Sequence, residues 1–293
     1  MKKINPLFKL LLDLKMIKKE NIEIFSNETR DSNIKVLSDK KSKVIFLEKI
    51  KTNNFYYRFK KKMVHGNKVK VFTKDKTIIT KRTKEDRIRF NNFKKYILNK
   101  EICDFGCGNG SFLKLVNKQA KYTCGIELYE KYIHELNSKN YNIFNNISNC
   151  KKKFDTIFLF HVLEHLTDPI KELKKLKKFL KKSGSIIIEV PHGNDFLLRN
   201  SDKFRKFSLW SEHLILHTEK SLKKFLSKSG FNKINIKYFQ RYNYLNHLYW
   251  LNNGKPNGDI ILKKKYDINI DKSYNKFLNK AKMTDTLYCI AKF

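Results

Sequence analysis

Residues 102–110 read Ile-Cys-Asp-Phe-Gly-Cys-Gly-Asn-Gly. An apolar strand over Glu101–Phe105 runs into three glycines at alternate positions, Gly106, Gly108 and Gly110. A helical pattern follows over about 110–119, with Phe112, Leu113 and Val116 on one face. A strand that ends in a glycine turn and opens a helix is a phosphate or nucleoside site in many α/β proteins. Here no Walker-type lysine follows, the glycines are packed as G-x-G-x-G, and the acidic Asp104 precedes the first of them.

Outward from this turn, strands and helices alternate, which predicts a parallel sheet. The spacing predicts strands over Tyr122–Ile126, 141–144, Phe154–Phe160, 185–190, 234–239 and 286–293. Helices are expected over 86–98, 129–138, 169–182 and 219–229. Ser183-Gly184 is read as the stop of the third of these, and Thr218 as the cap of the fourth. The run Phe154-Asp-Thr-Ile-Phe-Leu-Phe160 is nearly all apolar, as a strand buried on both faces should be. Asp155 is read as a strand-entry residue. Residues 241–285, rich in aromatics, form an insertion before the last strand.

Upstream, residues 20–80 show short alternating runs at 44–47, 55–59, 68–72 and 77–80, separated by polar clusters. These predict a small β-containing accessory unit over 1–80 and a main domain over 81–293. The unit is read as a structural appendage or dimerisation element, or as a substrate-recognition lobe. Residues 6–19 form an amphipathic helix that docks on the fold, with loose attachment to an anionic membrane as the alternative. It is no signal peptide, because Lys9, Asp13 and Lys15 interrupt its apolar run. No stretch approaches the roughly 20 apolar residues of a membrane helix. The five cysteines, Cys103, Cys107, Cys124, Cys150 and Cys289, are odd in number and lie mostly in strand-like runs. They are expected to be reduced thiols in a cytoplasmic protein. Cys103 and Cys107 have no second pair at zinc spacing.

The formal charge is +36, yet only eight of the 64 basic residues are Arg. Lysines spread over the whole length beside abundant Asn and Ile read as coding bias acting on solvated positions. Arginine is the residue of bidentate phosphate and base contacts. No specific nucleic-acid partner is therefore expected, although non-specific polyanion binding follows from the charge.

Four motifs occur in order: Asp104-Phe-Gly-Cys-Gly-Asn-Gly110; Glu127 after the second strand; Phe154 through His161-Val-Leu-Glu-His-Leu-Thr-Asp-Pro169; and Leu180-Lys-Lys-Ser-Gly-Ser-Ile-Ile-Ile-Glu-Val-Pro191. Over about residues 86–240 the chain resembles the class I methyltransferases that use S-adenosylmethionine (SAM). The resemblance implies a Rossmann-like seven-stranded α/β sheet whose last two strands form an antiparallel hairpin. It also implies a cofactor set of Asp104, Gly106, Cys107, Gly108, Gly110, Glu127, Asn146, Phe160 and His161. The physical reasons are separable. Glycines let backbone approach the methionine part. The helix N-terminus faces its carboxylate. Glu127, about 20 residues past the turn, can accept the ribose hydroxyls. Asn145, Asn146 or Ile147 would face adenine, and Phe160 and His161 would lie under the sulfonium. His161 and His165 have the i, i+4 spacing of a metal pair, but His161, Glu164 and His165 are read as hydrogen-bonding and positioning residues, with no metal.

On the acceptor side, Trp210-Ser-Glu-His-Leu-Ile-Leu-His-Thr218 resembles a segment of sugar C-methyltransferases that act on nucleotide-linked keto-sugars. That resemblance makes His213 a candidate base oriented by Glu212; the alternative is a packed histidine. The chain departs from those enzymes in lacking a four-cysteine zinc module and in having Trp210 where Tyr is usual, so O- and N-methylation stay open. His192 and the segment Arg241-Tyr-Asn-Tyr-Leu-Asn-His-Leu-Tyr-Trp250 are further acceptor candidates, or else a packed cap or homodimer contact. The resulting expectation is an enzyme of surface polysaccharide biosynthesis with a sugar or nucleotide-sugar acceptor. One alternative is an RNA methyltransferase, although no Asn-Pro-Pro-Tyr-type or Pro-Cys motif is present. The other is a non-catalytic SAM-binding scaffold.

Overall fold

The computed structural model describes residues 3–51, 57, 71–72, 78–79 and 81–293. Its main sheet has seven strands: β1 (Glu101–Phe105), β2 (Tyr122–Ile126), β3 (Ile143–Phe144), β4 (Phe154–Phe160), β5 (Leu180–Pro191), β6 (Lys233–Phe239) and β7 (Thr286–Lys292). Their order is β3-β2-β1-β4-β5-β7-β6, the Rossmann-like sheet expected. Neighbours β3 and β2, β2 and β1, and β1 and β4 are parallel, with Cys103 opposite Cys124 and Asp104 opposite Phe158. Strand order reverses between β1 and β4. In open α/β sheets that switch point, at the carboxyl ends of the strands, is where ligands bind. The glycine turn leaves β1 there, and Phe160 ends β4.

Strand β4 forms because nearly every side chain is apolar and buried. Asp155, its one charged residue, accepts the Glu101 N–H at 2.9 Å and Lys181 Nζ at 2.8 Å. It pins the strand entry, as expected. The helix before β5 differs from its expected length. It spans Pro169–Lys178, and β5 starts at Leu180. Gly184 is thus inside a strand, not at a helix end. A Cβ there would lie 2.9 Å from the carbonyl oxygens of both Lys181 and Phe154. The glycine is required by close backbone approach, which mimics a helix stop in sequence.

The chain divides into two compact units, each discontinuous in sequence. Of the described residues, one comprises those within 52–160, 174–187 and 292–293; the other comprises those within 1–51, 161–173 and 188–291. The boundary expected near residue 80 lies outside the described residues, as do most of the residues of the strands expected at 55–59, 68–72 and 77–80.

In the second unit, an antiparallel four-stranded sheet runs in the order Ile215–Leu216, Ile45–Leu47, Val36–Asp39, Ile22–Ser26. The N-terminal strands therefore share a sheet with a segment about 170 residues later. Asn5 fastens the junction. Its side-chain amide donates to the Leu47 and Leu214 carbonyls, each at 2.9 Å, while its oxygen caps the helix Pro6–Asp13 through Leu7 N–H at 3.0 Å. Leu7 and Leu11 of that helix are fully buried, so the helix docks, although it ends at Asp13 and does not reach the expected residue 19. Among the described residues, no helix is long and apolar enough to cross a membrane.

Candidate active site

The glycine turn adopts left-handed backbone at all three glycines, with φ of 83° at Gly106, 56° at Gly108 and 71° at Gly110. At Gly110 a Cβ would meet the Leu136 side chain at 2.7 Å. Side chains are excluded here by conformation and by space. The backbone N–H groups of Gly106 and Cys107 both donate to the Ile126 carbonyl, at 2.7 and 3.0 Å. Cys107 contributes no exposed thiol, for its side chain packs with Leu113, Leu136 and Ile143. Asp104 is buried on β1.

Glu127 is the organising side chain of this half. It is only 8% exposed, not a solvated strand end. Its Oε2 accepts the Gly108 N–H at 2.7 Å, and its Oε1 accepts the N–H groups of Leu128 and Tyr129 at 2.8 and 2.9 Å. A carboxylate has about four acceptor positions, so three backbone donors leave room for a hydroxyl. The helix behind the turn is shorter than expected, Ser111–Val116, and its first N–H donates to the Asn109 side chain at 3.2 Å.

Sequence reasoning missed the layer beneath this turn. Asp86 and Arg89 lie on the helix Lys81–Phe93 and are 1% and 6% exposed. Their side chains pair at 2.8 Å. Ser111 donates its hydroxyl to the other Asp86 oxygen. The Arg89 guanidinium lies 4.7 Å over the Phe160 ring, which also packs edge-on against Phe112 at 5.0 Å. Phe160 is thus the floor of an aromatic cluster and is only 9% exposed. The available signal was an Asp–Arg spacing of three in a chain where arginine is scarce. Asn146 sits after β3, as expected, but its side chain caps a 3₁₀ turn through Ser148 N–H at 2.9 Å and accepts Lys175 Nζ at 2.8 Å.

A polar cluster lies in the second unit, around His161. This histidine has φ of 56°, uncommon for a residue with a Cβ. Its Nδ1 lies 3.1 Å from Glu164 Oε1 and its Nε2 2.9 Å from Glu189 Oε1. Burial opposes charge on the ring, but the two carboxylates outweigh it and raise its pKa to about 9. Burial likewise works against the Glu164 charge, and His161 overcomes it, holding Glu164 down to about 2. His161 and His165 do not share a helix face, because residues Leu163–His165 form a 3₁₀ turn. His165 Nδ1 instead donates to the Glu212 carbonyl at 2.8 Å, and its ring meets the His213 ring edge-on at 5.0 Å.

For the candidate base His213, burial and the neighbouring His165 lower the pKa to about 4. The ring is neutral at physiological pH and weakly basic. Glu212 enters through its backbone carbonyl. His192 is buried, donates from Nδ1 to the Thr284 carbonyl at 2.9 Å and packs against Tyr238. The insertion is helical, over Tyr244–Asn253, Gly258–Ile261 and Ile268–Ala281, and its polar aromatics are engaged internally. Arg241 pairs with Asp285 at 3.1 Å, His247 lies 2.9 Å from both Gln240 and Tyr274, and Trp250 packs against Phe204 and Phe207.

Asp195 gives this region a pH signature. It caps the helix Phe196–Asn200 through Leu197 N–H at 2.7 Å. Burial, then the charge on Asp285, raise its pKa from 3.8 to about 7. The folded chain therefore holds this proton at higher pH than the unfolded chain. Its contribution to stability is complete below about 4 and is lost as pH rises to about 7. Asp195→Asn keeps the cap and should flatten that loss. Urea melts are expected to show the variant more stable at pH 8 by at least about 1.4 kcal/mol, one pKa unit's equivalent. Identical pH profiles would refute the assignment.

A family model described as a methyltransferase domain matches residues 80–236. The chain belongs to this family. It is a SAM-dependent methyltransferase, and the side-chain-free glycine turn with the buried Glu127 carboxylate fits that cofactor. A solved SAM-dependent methyltransferase from Archaeoglobus fulgidus shares the fold, with a TM-score of 0.52 and 21% identity over 72% of this chain and 94% of that one. The tRNA U34 carboxymethyltransferase of Trichodesmium erythraeum is 28% identical over 160 residues, 47% of this chain and 46% of that protein. The enzyme of the same name from Campylobacter fetus is 30% identical over 135 residues, 41% of this chain and 48% of that protein. The chain thus spans about half the length of the curated relatives it matches. Those relatives are tRNA enzymes, so the expected sugar acceptor and polysaccharide pathway are not supported.

Proposed function

We propose that this methyltransferase acts on RNA, in the cytoplasm, and that the acceptor is an oxygen of a nucleotide. The observation that carries the reading is a cavity of about 370 Å³ among whose lining residues are Lys15, Lys18, Lys41, Lys43, Lys220 and Lys282. Asp39 and Glu219 also line it, leaving a positive balance suited to a phosphate backbone. The names of the relatives and the +36 charge support the same direction. The sugar reading loses one support because Arg241, His247 and Trp250 are engaged within the protein, as the packed-cap alternative expects. Neither the amino-methylation motif nor the Pro-Cys nucleophile is present, which favours an oxygen over a base amine or cytosine C5.

Bound SAM supplies a methyl group on a positively charged sulfur, open to in-line attack. The glycine turn and Glu127 hold and orient the cofactor; positioning of this kind supplies much of the rate. His213, neutral above about pH 4, can accept a hydrogen bond from the acceptor hydroxyl.

The direct test incubates the protein with methyl-labelled SAM and, in parallel, tRNA and a panel of nucleotide-sugars. Label is expected in RNA and should be released by ribonuclease. Label confined to nucleotide-sugars, or absent from both, would overturn the reading. A second check uses Lys41→Glu with Lys220→Glu, both on exposed side chains. A glutamate at 220 also suits the first turn of the helix Glu219–Lys228. tRNA affinity should fall, and the slope of log K against log salt should shrink by about 1.5, for two phosphate contacts. An unchanged slope would place the RNA elsewhere.

A further inference from the structure

The Glu164–His165–His213 cluster has a property that the acceptor reading, which uses His213 alone, leaves unexplained. Glu164 is fully buried, and its Oε2 has no hydrogen-bond partner, whereas Oε1 is held by His161 at 3.1 Å. A buried carboxylate oxygen left unmatched is costly. One ligand atom from each of Glu164, His165 and His213 lies within 4.8 Å of the others. His165 donates from Nδ1 to the Glu212 carbonyl, which fixes the tautomer and leaves the Nε2 lone pair as its metal-binding atom.

We infer that Glu164, His165 and His213 form a divalent transition-metal site of the zinc class, with a fourth position open to water. This departs from the expectation of no metal, and the pair is His165 with His213, not His161 with His165. Two imidazoles and one carboxylate are a zinc donor set when a coordination position stays open. Ligand atoms about 2.0–2.1 Å from zinc in a tetrahedron are about 3.4 Å apart, so the site closes by side-chain adjustments on the order of 1 Å. The groups behind the ligands are already in place. The Glu212 carbonyl orients His165, and His161 orients Glu164, as outer hydrogen bonds do in metal sites. The Leu214 N–H donates to the Glu164 carbonyl at 2.8 Å, tying the 3₁₀ turn to the segment that carries His213. Zinc there would brace both segments and hold a polarised water, which would stand in place of the His213 ring as the group that meets the acceptor hydroxyl.

The test uses the full chain without an affinity tag, stripped by chelator and titrated with zinc and with cobalt(II). Wild type is expected to bind one zinc per chain by elemental analysis and calorimetry. With cobalt it should show the intense visible absorption of a four-coordinate ion. Glu164→Gln and His213→Ala should each lose at least 10-fold in zinc affinity. Thermal melts guard against misfolding: zinc should raise the melting temperature of wild type and leave that of the variants unmoved. Absence of stoichiometric zinc at micromolar concentration, or equal binding by folded variants, would overturn the inference and leave a water bridge as the occupant.

Discussion

Glu127→Ala is expected to abolish measurable SAM binding while leaving the chain folded. The carboxylate receives three backbone N–H groups, from Gly108, Leu128 and Tyr129. Hydrogen bonds to a charged group contribute about 1.5–3 kcal/mol each. Losing them frees the middle of the glycine turn and removes the acceptor proposed for the cofactor's hydroxyls, so affinity should fall roughly 100-fold or more. Glu127→Gln sharpens the test. An amide keeps one acceptor oxygen but turns an N–H₂ toward backbone donors, so it should recover little. Calorimetric titration of SAM into the three proteins decides it. Unchanged affinity in Glu127→Ala would refute the placement of the cofactor on this turn, whatever the acceptor is.

The cofactor half was legible because its signals are local. Gly106, Gly108 and Gly110 follow one strand, and Glu127 ends the next. The relevant residues lie within a stretch of 27, from Glu101 to Glu127, so periodicity and residue type sufficed. Gly184 was misread because a glycine after a helical pattern looks the same whether it ends a helix or lets two backbones approach. The strand Ile215–Leu216 is two residues long and pairs with Ile45 and Phe46, a non-local contact without periodicity of its own. That pairing is why the N-terminal strands could not be assigned to their sheet. Arginine content was read as an argument against nucleic acid. The structure gives several arginines interior work instead: Arg199 bonds the Gly193 and Lys43 carbonyls, and Arg241 pairs with Asp285. Their scarcity therefore says little about phosphate contacts, which the proposed reading assigns to lysine. The cluster around Glu164 was partly visible as a histidine spacing. Its real partner, His213, is 48 residues away from His165 in sequence, and only the fold brings the rings to 5.0 Å.

Arg89→Met is expected to cost about 3–5 kcal/mol of stability, the range for breaking a buried ion pair from one side. Asp86 would keep the Ser111 hydroxyl but lose its cation while remaining 1% exposed in the wild-type geometry. The double variant Asp86→Leu with Arg89→Met should be distinctly less damaging than the sum of the singles, because no charge is then stranded. Urea melts of the four proteins give the coupling energy directly. A coupling below about 0.5 kcal/mol, the scatter for independent sites, would mean the pair contributes no more than surface packing. The two singles should also differ in function. Asp86 reaches Ser111, the first residue of the helix behind the glycine turn, so Asp86→Leu should weaken SAM binding at temperatures where it is fully folded. Arg89 reaches the Phe160 ring. Its loss should act mainly through stability, with SAM affinity in the folded protein reduced less than in Asp86→Leu. The reverse ranking would make Arg89 the side chain that shapes the cofactor floor.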